Sequence, residues 1–168
     1  LSDCNPDDYH ETIKDFQNVP KRFVALHESV RADAVSRVAE ARAEVDFALS
    51  REAGAQLLET LKAKGEIPTR ITHSDPKFNN VLFQAREGGG YGAGIAIVDL
   101  DTVMPGTMIY DFGDLARSVV IAAREDEVDL SKVTLNEELF DALAEGYLSV
   151  ANPILTDAEV GLMADAPR

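Results

Sequence analysis

The chain has 168 residues, 30 of them acidic and 16 basic, which gives a formal net charge of −14. This length suits one domain with a sizeable core. So acidic a surface makes nucleic acid and membrane surfaces poor partners, because both carry negative charge. No apolar run approaches the roughly 20 residues that span a bilayer. The single cysteine, Cys4, excludes an internal disulfide and favours a reducing, cytoplasmic location.

The first third of the chain has the pattern of helices. Asn5 followed by Pro6 is typical of a helix start. Between Pro20 and Lys64, apolar residues recur at spacings of three and four, the period of an amphipathic helix. We expect two or three helices there, with breaks near residues 31–33 and 50–54.

The middle of the chain changes to short strands. "RITHSD" and "NVLFQA" are β-prone, and "GIAIVDL" is a continuous apolar run that ends in an acid. The glycine-rich stretch "REGGGYGAG" separates the last two. A phosphate-binding glycine loop should open a helix, whereas this stretch precedes a strand. It therefore predicts the turn of a β-hairpin.

The last third returns to helical spacing. "GDLARSVVIAAR", "LNEELFDALAEGYLSV" and "TDAEVGLMADA" predict three further helices, with no convincing strand after Asp101. Thr156 and Glu159 have the spacing of a capping box at the last helix. The fold class expected from these elements is α+β and predominantly helical.

The segment "THSDPKFNNVLF" carries the residues that point to chemistry. Protein kinases use a histidine two residues before a catalytic aspartate, and an asparagine five residues after it that holds Mg²⁺. His73, Asp75 and Asn80 have this spacing. A turn of this length lets Asp75 meet the acceptor hydroxyl while Asn80 meets the metal. Lys77 could offset charge on the transferred phosphoryl group.

Two further aspartates compete for the role of second metal ligand. Asp99 follows the apolar run "IAIV", where a strand would end, and Mg²⁺ prefers oxygen ligands. Asp111, Phe112 and Gly113 spell the metal-binding tripeptide of protein kinases, but they open a predicted helix instead of following a strand. We therefore assign the metal to Asn80 and Asp99, and give Asp111 a structural role that could include bracing the loop of Asp75. His73 is expected to brace the same loop.

The stretch "THSDPKFNNVLF…IAIVDLDTVMPGTMIYDFGDLAR" resembles the aminoglycoside phosphotransferase and choline kinase-like superfamily, which shares the protein-kinase fold. It is most similar to the N-acetylhexosamine 1-kinase branch through "VDLDTVMPGTMIYDFGD". The resemblance is strong from about Pro68 to Arg124. It implies ATP and Mg²⁺ as cofactors, a sugar or amino-sugar hydroxyl as acceptor, and Asp75 as catalytic base. Ser74 occupies a position where the superfamily frequently has glycine.

The resemblance also implies that the chain is the C-terminal lobe of a kinase-like fold, with residues 1–168 as one domain. A β-hairpin of this lobe would carry the catalytic loop and the metal aspartate. Nothing before the helical region corresponds to the family's nucleotide-binding N-terminal lobe, and Leu1 stands where an initiator methionine would. We expect an incomplete and inactive fragment whose partner is that lobe. The surface left exposed could support self-association.

Two alternatives remain open at this point. "IAIVDLDTV" also fits the haloacid dehalogenase-like phosphatases, in which Asp99 would be the nucleophile and Asp101 the acid/base. That fold requires a doubly wound parallel sheet. Otherwise Asp101 is an auxiliary site residue or a cap for the following turn. The second alternative is a non-catalytic, kinase-like interaction module.

Overall fold

Residues 3–124 and 126–167 are described by the computed structural model, and their contacts divide them into two units. One unit is Ile13–Pro68. The other combines the described residues up to Thr12 with those from Thr69 onward. The sequence predicted a single domain, and that stays a prediction.

The unit Ile13–Pro68 contains three helices, as the apolar spacing predicts: α1 is Val19–Ala32, α2 is Arg42–Ser50 and α3 is Glu52–Ala63. Helix α1 begins where the Asn18 side chain accepts the Lys21 N–H. It ends at Asp33, whose φ of 38° is left-handed. None of the three helices contains a fully buried residue.

The helix predicted from Asn5 is wrong: only a 3₁₀ turn, Pro6–Asp8, forms there. The start signal itself is present, because the Asn5 side chain accepts the Asp7 N–H. However, the apolar residues that follow, Tyr9 and Ile13, are 40% and 43% exposed. An isolated short helix is marginal in water without an apolar face to bury.

The second unit begins with a two-stranded sheet. Strand β1, Arg70–Thr72, pairs antiparallel with β4, Met104–Gly106. The expectation of no strand after Asp101 is wrong: β4 was not predicted because Pro105 lies in it, and proline cannot donate to a ladder. In a two-stranded sheet both strands are edges, so one missing N–H is tolerated.

A β-hairpin forms the second sheet. Strand β2, Val81–Ala85, pairs antiparallel with β3, Tyr91–Ile97. Gly88, Gly89 and Gly90 connect them with φ values of 87°, 97° and 86°, a region that L-residues with side chains rarely adopt. The predicted hairpin is therefore confirmed.

Three helices complete this unit: α4 is Met108–Val120, α5 is Glu137–Ala151 and α6 is Asp157–Leu162. The predicted capping box is present at α6, where Thr156 and Glu159 exchange hydrogen bonds. Helix α4 supplies the centre of the core. The Phe112 ring is fully buried and meets the rings of Phe140 and Tyr147 on α5 at 6.1 and 5.0 Å.

The α+β fold class is confirmed, and the phosphatase alternative is not supported. Both sheets within residues 3–124 and 126–167 are antiparallel pairs, whereas that alternative requires a parallel, doubly wound sheet. No helix in this part of the chain has the length and apolar character needed to cross a bilayer.

Candidate functional site

The residues between β1 and β2 form one loop, residues 73–80, called here the Asp75 loop. It ends in a 3₁₀ turn, Phe78–Asn80, that leads directly into β2. His73, Ser74 and Asn80 are only 5%, 5% and 6% exposed. Buried polar groups require hydrogen-bond partners, so the conformation of this loop depends on where those partners lie.

Asp75 and Asn80 are in direct contact. The Asn80 Nδ2 group donates to Asp75 O at 2.9 Å and to Asp75 Oδ2 at 3.2 Å. Lys77 Nζ lies 3.0 Å from the same Oδ2. These contacts use one carboxylate oxygen of Asp75 and the amide nitrogen of Asn80. They leave Oδ1 of each side chain to accept a proton or to ligate a cation.

His73 links the Asp75 loop to the end of the hairpin. The backbone N–H of Asp75 donates to His73 Nδ1 at 3.3 Å, so this nitrogen acts as an acceptor. The other ring nitrogen, Nε2, lies 3.1 Å from Val98 O and must donate to it. This pair of bonds selects the neutral Nε2–H tautomer, in which the ring orients two backbone segments.

Asp99 follows β3, one residue after Val98, whose backbone pairs with Asn80. The Val98 N–H donates to Asn80 O at 2.9 Å, which continues the Val81–Ile97 pairing of the hairpin by one bond. The next residue, Asp99, has a left-handed backbone with φ 65° and an exposed side chain. The hairpin thus brings the backbone of the Asp99 segment to Asn80.

Asp111 binds the start of the Asp75 loop from helix α4. Its two carboxylate oxygens accept the backbone N–H groups of His73 and Ser74, both at 2.8 Å. Burial raises the pKa of Asp111 above its ordinary value, and the two N–H bonds act in the opposite direction. The Asp111–Gly113 tripeptide therefore lies inside a helix, with its carboxylate on the Asp75 loop.

Ser74 needs this support because its backbone is left-handed, with φ 68°. A non-glycine residue in that region carries strain of order 1 kcal/mol or more, which is why glycine suits the position. Besides the bond to Asp111, the Ser74 hydroxyl lies 3.1 Å from that of Thr72. Strained residues of this kind concentrate at functional sites.

Strand β1, which leads into the Asp75 loop, is itself anchored. The Arg70 guanidinium binds the Glu159 carboxylate and the Ile154 carbonyl, and Glu159 is fully buried. Tyr147 lies in the same region, where burial, aided by the charges of Asp111 and Glu159, raises its pKa to about 12. The segment around α6 therefore holds the strand that precedes the loop.

Two residues that the sequence analysis did not single out also bind the Asp75 loop. The Thr102 hydroxyl donates to His73 O at 2.8 Å. The Ser118 hydroxyl accepts the Phe78 N–H at 2.9 Å. Both are distant along the chain, and no spacing pattern marks them. Asp101 is exposed in the 3₁₀ turn Leu100–Thr102, next to Thr102.

The oxygen atoms at this site suit Mg²⁺, which prefers hard oxygen ligands and keeps several waters. Asn80 binds Asp75 through Nδ2, so its Oδ1 takes no part in those bonds. The Asp99 side chain is exposed. No group of three or more His, Cys, Asp or Glu residues is arranged to hold a metal in the described ranges. The residues present fit a cation held by few side chains together with substrate oxygens.

The chain matches the model of a known family. The family model APH, described as the phosphotransferase enzyme family, matches residues 6–152. This range includes the Asp75 loop, both strands of the hairpin, Asp99 and the whole of α4. Because the match covers well over half of the sequence, the chain belongs to the phosphotransferase enzyme family.

Proposed function

We propose that the chain carries the acceptor and metal site of an ATP- and Mg²⁺-dependent kinase that phosphorylates a hydroxyl of a small molecule. The observation that supports this most is the Asp75–Asn80 contact. Asn80 contacts Asp75 through its side chain, and its backbone pairs with the residue before Asp99.

Each side chain has a separate task in this proposal. Asp75 Oδ1 accepts or orients the proton of the acceptor hydroxyl, while Oδ2 stays bound to Lys77 and Asn80. Asn80 Oδ1 and the Asp99 carboxylate hold Mg²⁺, which supplies positive charge against the nucleotide phosphates. Lys77 Nζ balances negative charge beside the transferred group. His73, Asp101 and Asp111 are supporting residues that act through the backbone or the surrounding loop.

The acceptor we propose is a sugar, with an amino sugar of the N-acetylhexosamine type favoured. The support is the resemblance of "VDLDTVMPGTMIYDFGD" to that branch, which includes Asp99, Asp101 and Asp111. An uncharged sugar also needs no cationic pocket, which agrees with a chain of net charge −14.

We also propose that an N-terminal lobe outside these 168 residues covers the nucleotide. Phosphoryl transfer depends on positioning and charge neutralisation from both sides of the phosphates. The glycine run of this chain, Gly88–Gly90, closes a hairpin and does not open a helix. We therefore expect the 168-residue chain alone to fold but not to turn over.

The exposed hairpin could support self-association in the absence of that lobe. Its apolar side chains include Tyr91, Ile95 and Ile97, which are 74%, 65% and 55% exposed. Large exposed apolar patches often mark contact surfaces. Self-association stays a prediction, which sedimentation of the purified chain would test.

The test of the kinase function uses protein that carries both lobes, ATP, Mg²⁺ and a panel of sugars including N-acetylated amino sugars. Asp75→Asn should lower kcat by at least about 100-fold, the usual contribution of a positioned base, with nucleotide binding preserved. Asp99→Asn should instead weaken Mg²⁺-nucleotide binding. Asp141→Asn, an exposed change in α5, is the matched control and should behave as wild type.

Three results would contradict these proposals in different ways. Full activity of Asp75→Asn would remove the catalytic assignment. A folded two-lobe protein that transfers no phosphate to any acceptor would favour the non-catalytic module. ATP-dependent sugar phosphorylation by the 168-residue chain alone would show that the second lobe is not needed.

A further inference from the structure

Helix α4 contacts the Asp75 loop at two separate places. Asp111, in its first turn, accepts the N–H groups of His73 and Ser74 at the start of the loop. Ser118, near its end, accepts the Phe78 N–H at 2.9 Å. The two α4 residues are seven positions apart, which is two helical turns and about 10 Å along one face. The helix thus binds both halves of the loop from a single rigid element.

The second contact occurs where the loop lacks a local partner. The 3₁₀ turn Phe78–Asn80 closes through the bond from Asn80 N to Lys77 O at 2.8 Å. The first N–H groups of any helical turn have no partner within the turn and normally receive one from a capping side chain. Lys77, at the cap position, makes no such bond. The Ser118 hydroxyl takes this role from another element.

The direction of the Ser118 hydroxyl is also fixed. Its hydrogen is donated to Leu115 O in the same helix at 2.8 Å. With its one proton committed, the oxygen can only accept from the Phe78 N–H. The Phe78 N–H is the donor in this bond and the Ser118 oxygen is the acceptor. The bond from the hydroxyl to Leu115 O keeps the oxygen in the orientation that accepts it.

We propose that Ser118 is a positioning residue of the phosphotransferase site: by capping the turn Phe78–Asn80, it sets the orientation in which Asn80 presents Oδ1. This inference rests on the proposed role of Asn80 in holding Mg²⁺. Asn80 is the last residue of the capped turn, and its Nδ2 group binds Asp75. A turn that loosens at Phe78 therefore shifts both the proposed metal ligand and the side chain that touches the proposed base.

The first test is amide hydrogen exchange by NMR on the 168-residue chain. In Ser118→Ala, exchange of the Phe78 and Asn80 amides should rise several-fold, because the loop loses its cap. Ser118→Thr keeps a hydroxyl that can bond the helix carbonyl and should stay near wild type. The matched control is Ser149→Ala, since the Ser149 hydroxyl makes the same local bond, to Gly146 O at 2.7 Å in α5.

The second test measures the metal site without requiring turnover. In protein that carries both lobes, Mn²⁺ added with ATP should broaden the side-chain amide signal of Asn80, and the Mn²⁺ concentration needed reports the affinity. Ser118→Ala should weaken this affinity by about 2- to 10-fold, the range for loss of one hydrogen bond. Ser118→Thr and Ser149→Ala should leave it within about twofold. A change of global stability alone would not separate the alanine variant from the threonine variant in this way.

The outcomes distinguish this inference from the proposed function. Unchanged exchange at Phe78 and Asn80 in Ser118→Ala overturns the positioning role, whatever the metal data show. Increased exchange with unchanged Mn²⁺ affinity overturns it as well. If the wild-type two-lobe protein shows no broadening at Asn80, while Ser118→Ala raises the exchange of the Phe78 and Asn80 amides, the cap is real and the metal role proposed for Asn80 fails. That result would overturn the functional part of this inference together with the proposed metal site.

Discussion

Helix α4 and two helices of the unit Ile13–Pro68, α1 and α3, are of similar length but differ in how many of their residues are buried. Helix α4 has 13 residues and five of them are buried: Ile109, Phe112, Gly113, Ala116 and Val120. Helices α1 and α3, with 14 and 12 residues, have none. Burial stabilises a helix and fixes its position. The rigid helix is the one that binds the Asp75 loop.

The same contrast holds for polar groups. Every buried polar residue of the described ranges lies outside Ile13–Pro68: Thr72, His73, Ser74, Asn80, Thr102, Thr107 and Glu159. Apart from Thr107, whose buried hydroxyl has no hydrogen-bond partner, their side chains are hydrogen-bonded, and buried polar groups with satisfied hydrogen bonds specify a single conformation. This chain therefore concentrates its conformational specificity around one loop. Paired substitutions, one in each region, test that conclusion.

The largest difference is expected for phenylalanine. Phe112→Ala should lower the free energy of unfolding by about 3–5 kcal/mol, because it leaves a cavity beside Phe140 and Tyr147. The same change at Phe47, which is 63% exposed, should cost less than about 1 kcal/mol. Urea unfolding followed by circular dichroism measures both. Equal losses of stability in the two variants would contradict the proposed difference in burial between the two regions.

The next largest difference in stability between the two regions is expected for aspartate-to-asparagine changes. In Asp111→Asn one amide N–H group faces a backbone N–H of the Asp75 loop, and an unsatisfied buried group costs about 1–3 kcal/mol. Asp33 accepts one backbone N–H, from Val38 at 3.1 Å, which an asparagine oxygen can replace. Asp33→Asn should therefore stay within about 0.5 kcal/mol. Hydrogen exchange of the His73 and Ser74 amides should become faster in Asp111→Asn and stay unchanged in Asp33→Asn. Unchanged exchange in Asp111→Asn would exclude the role of Asp111 in bracing the Asp75 loop.

Glycine-to-alanine changes should have opposite effects on the free energy of unfolding in the two regions. A Cβ at Gly113 would lie 2.3 Å from the Ala166 carbonyl oxygen, so backbone must move. We expect a loss of about 1–3 kcal/mol. Gly54, in α3, has nothing within 4 Å of an added Cβ. Gly54→Ala should stabilise by up to about 1 kcal/mol because alanine favours the helix. Thermal unfolding checks both, and a stabilised Gly113→Ala would refute the close approach.

The smallest effect is a difference in pH dependence. Burial raises the pKa of Asp111, so the folded chain retains this proton to higher pH than the unfolded chain. The stability that Asp111 contributes is then present below its ordinary pKa and is lost as pH rises through the raised value. The free energy of unfolding of wild type, minus that of Asp111→Asn, should therefore fall as pH rises through this window. A difference that grows with pH would show that the two N–H bonds outweigh burial.

How much could be predicted from sequence depended on the range of the interaction. The helices α1–α3, the hairpin and the Thr156–Glu159 capping box rest on local periodicity and turn chemistry, and all were predicted. Strand β4 was missed because it contains Pro105. Proline is tolerated only in an edge strand, and the sequence does not show that β4 is one. The helix after Asn5 was wrongly predicted because a start signal does not report whether the following residues will be buried.

At the site, the close spacing of Asp75, Lys77 and Asn80 was enough to predict that they lie together, because five residues of a turn cannot separate them far. It also placed Asp99 at the end of a strand. The contacts that hold this group in place come from distant parts of the chain. Asp111, Thr102 and Ser118 reach the loop across 38, 29 and 40 residues of sequence. Contacts of that range depend on how α4 and the strands pack, and no local pattern encodes them.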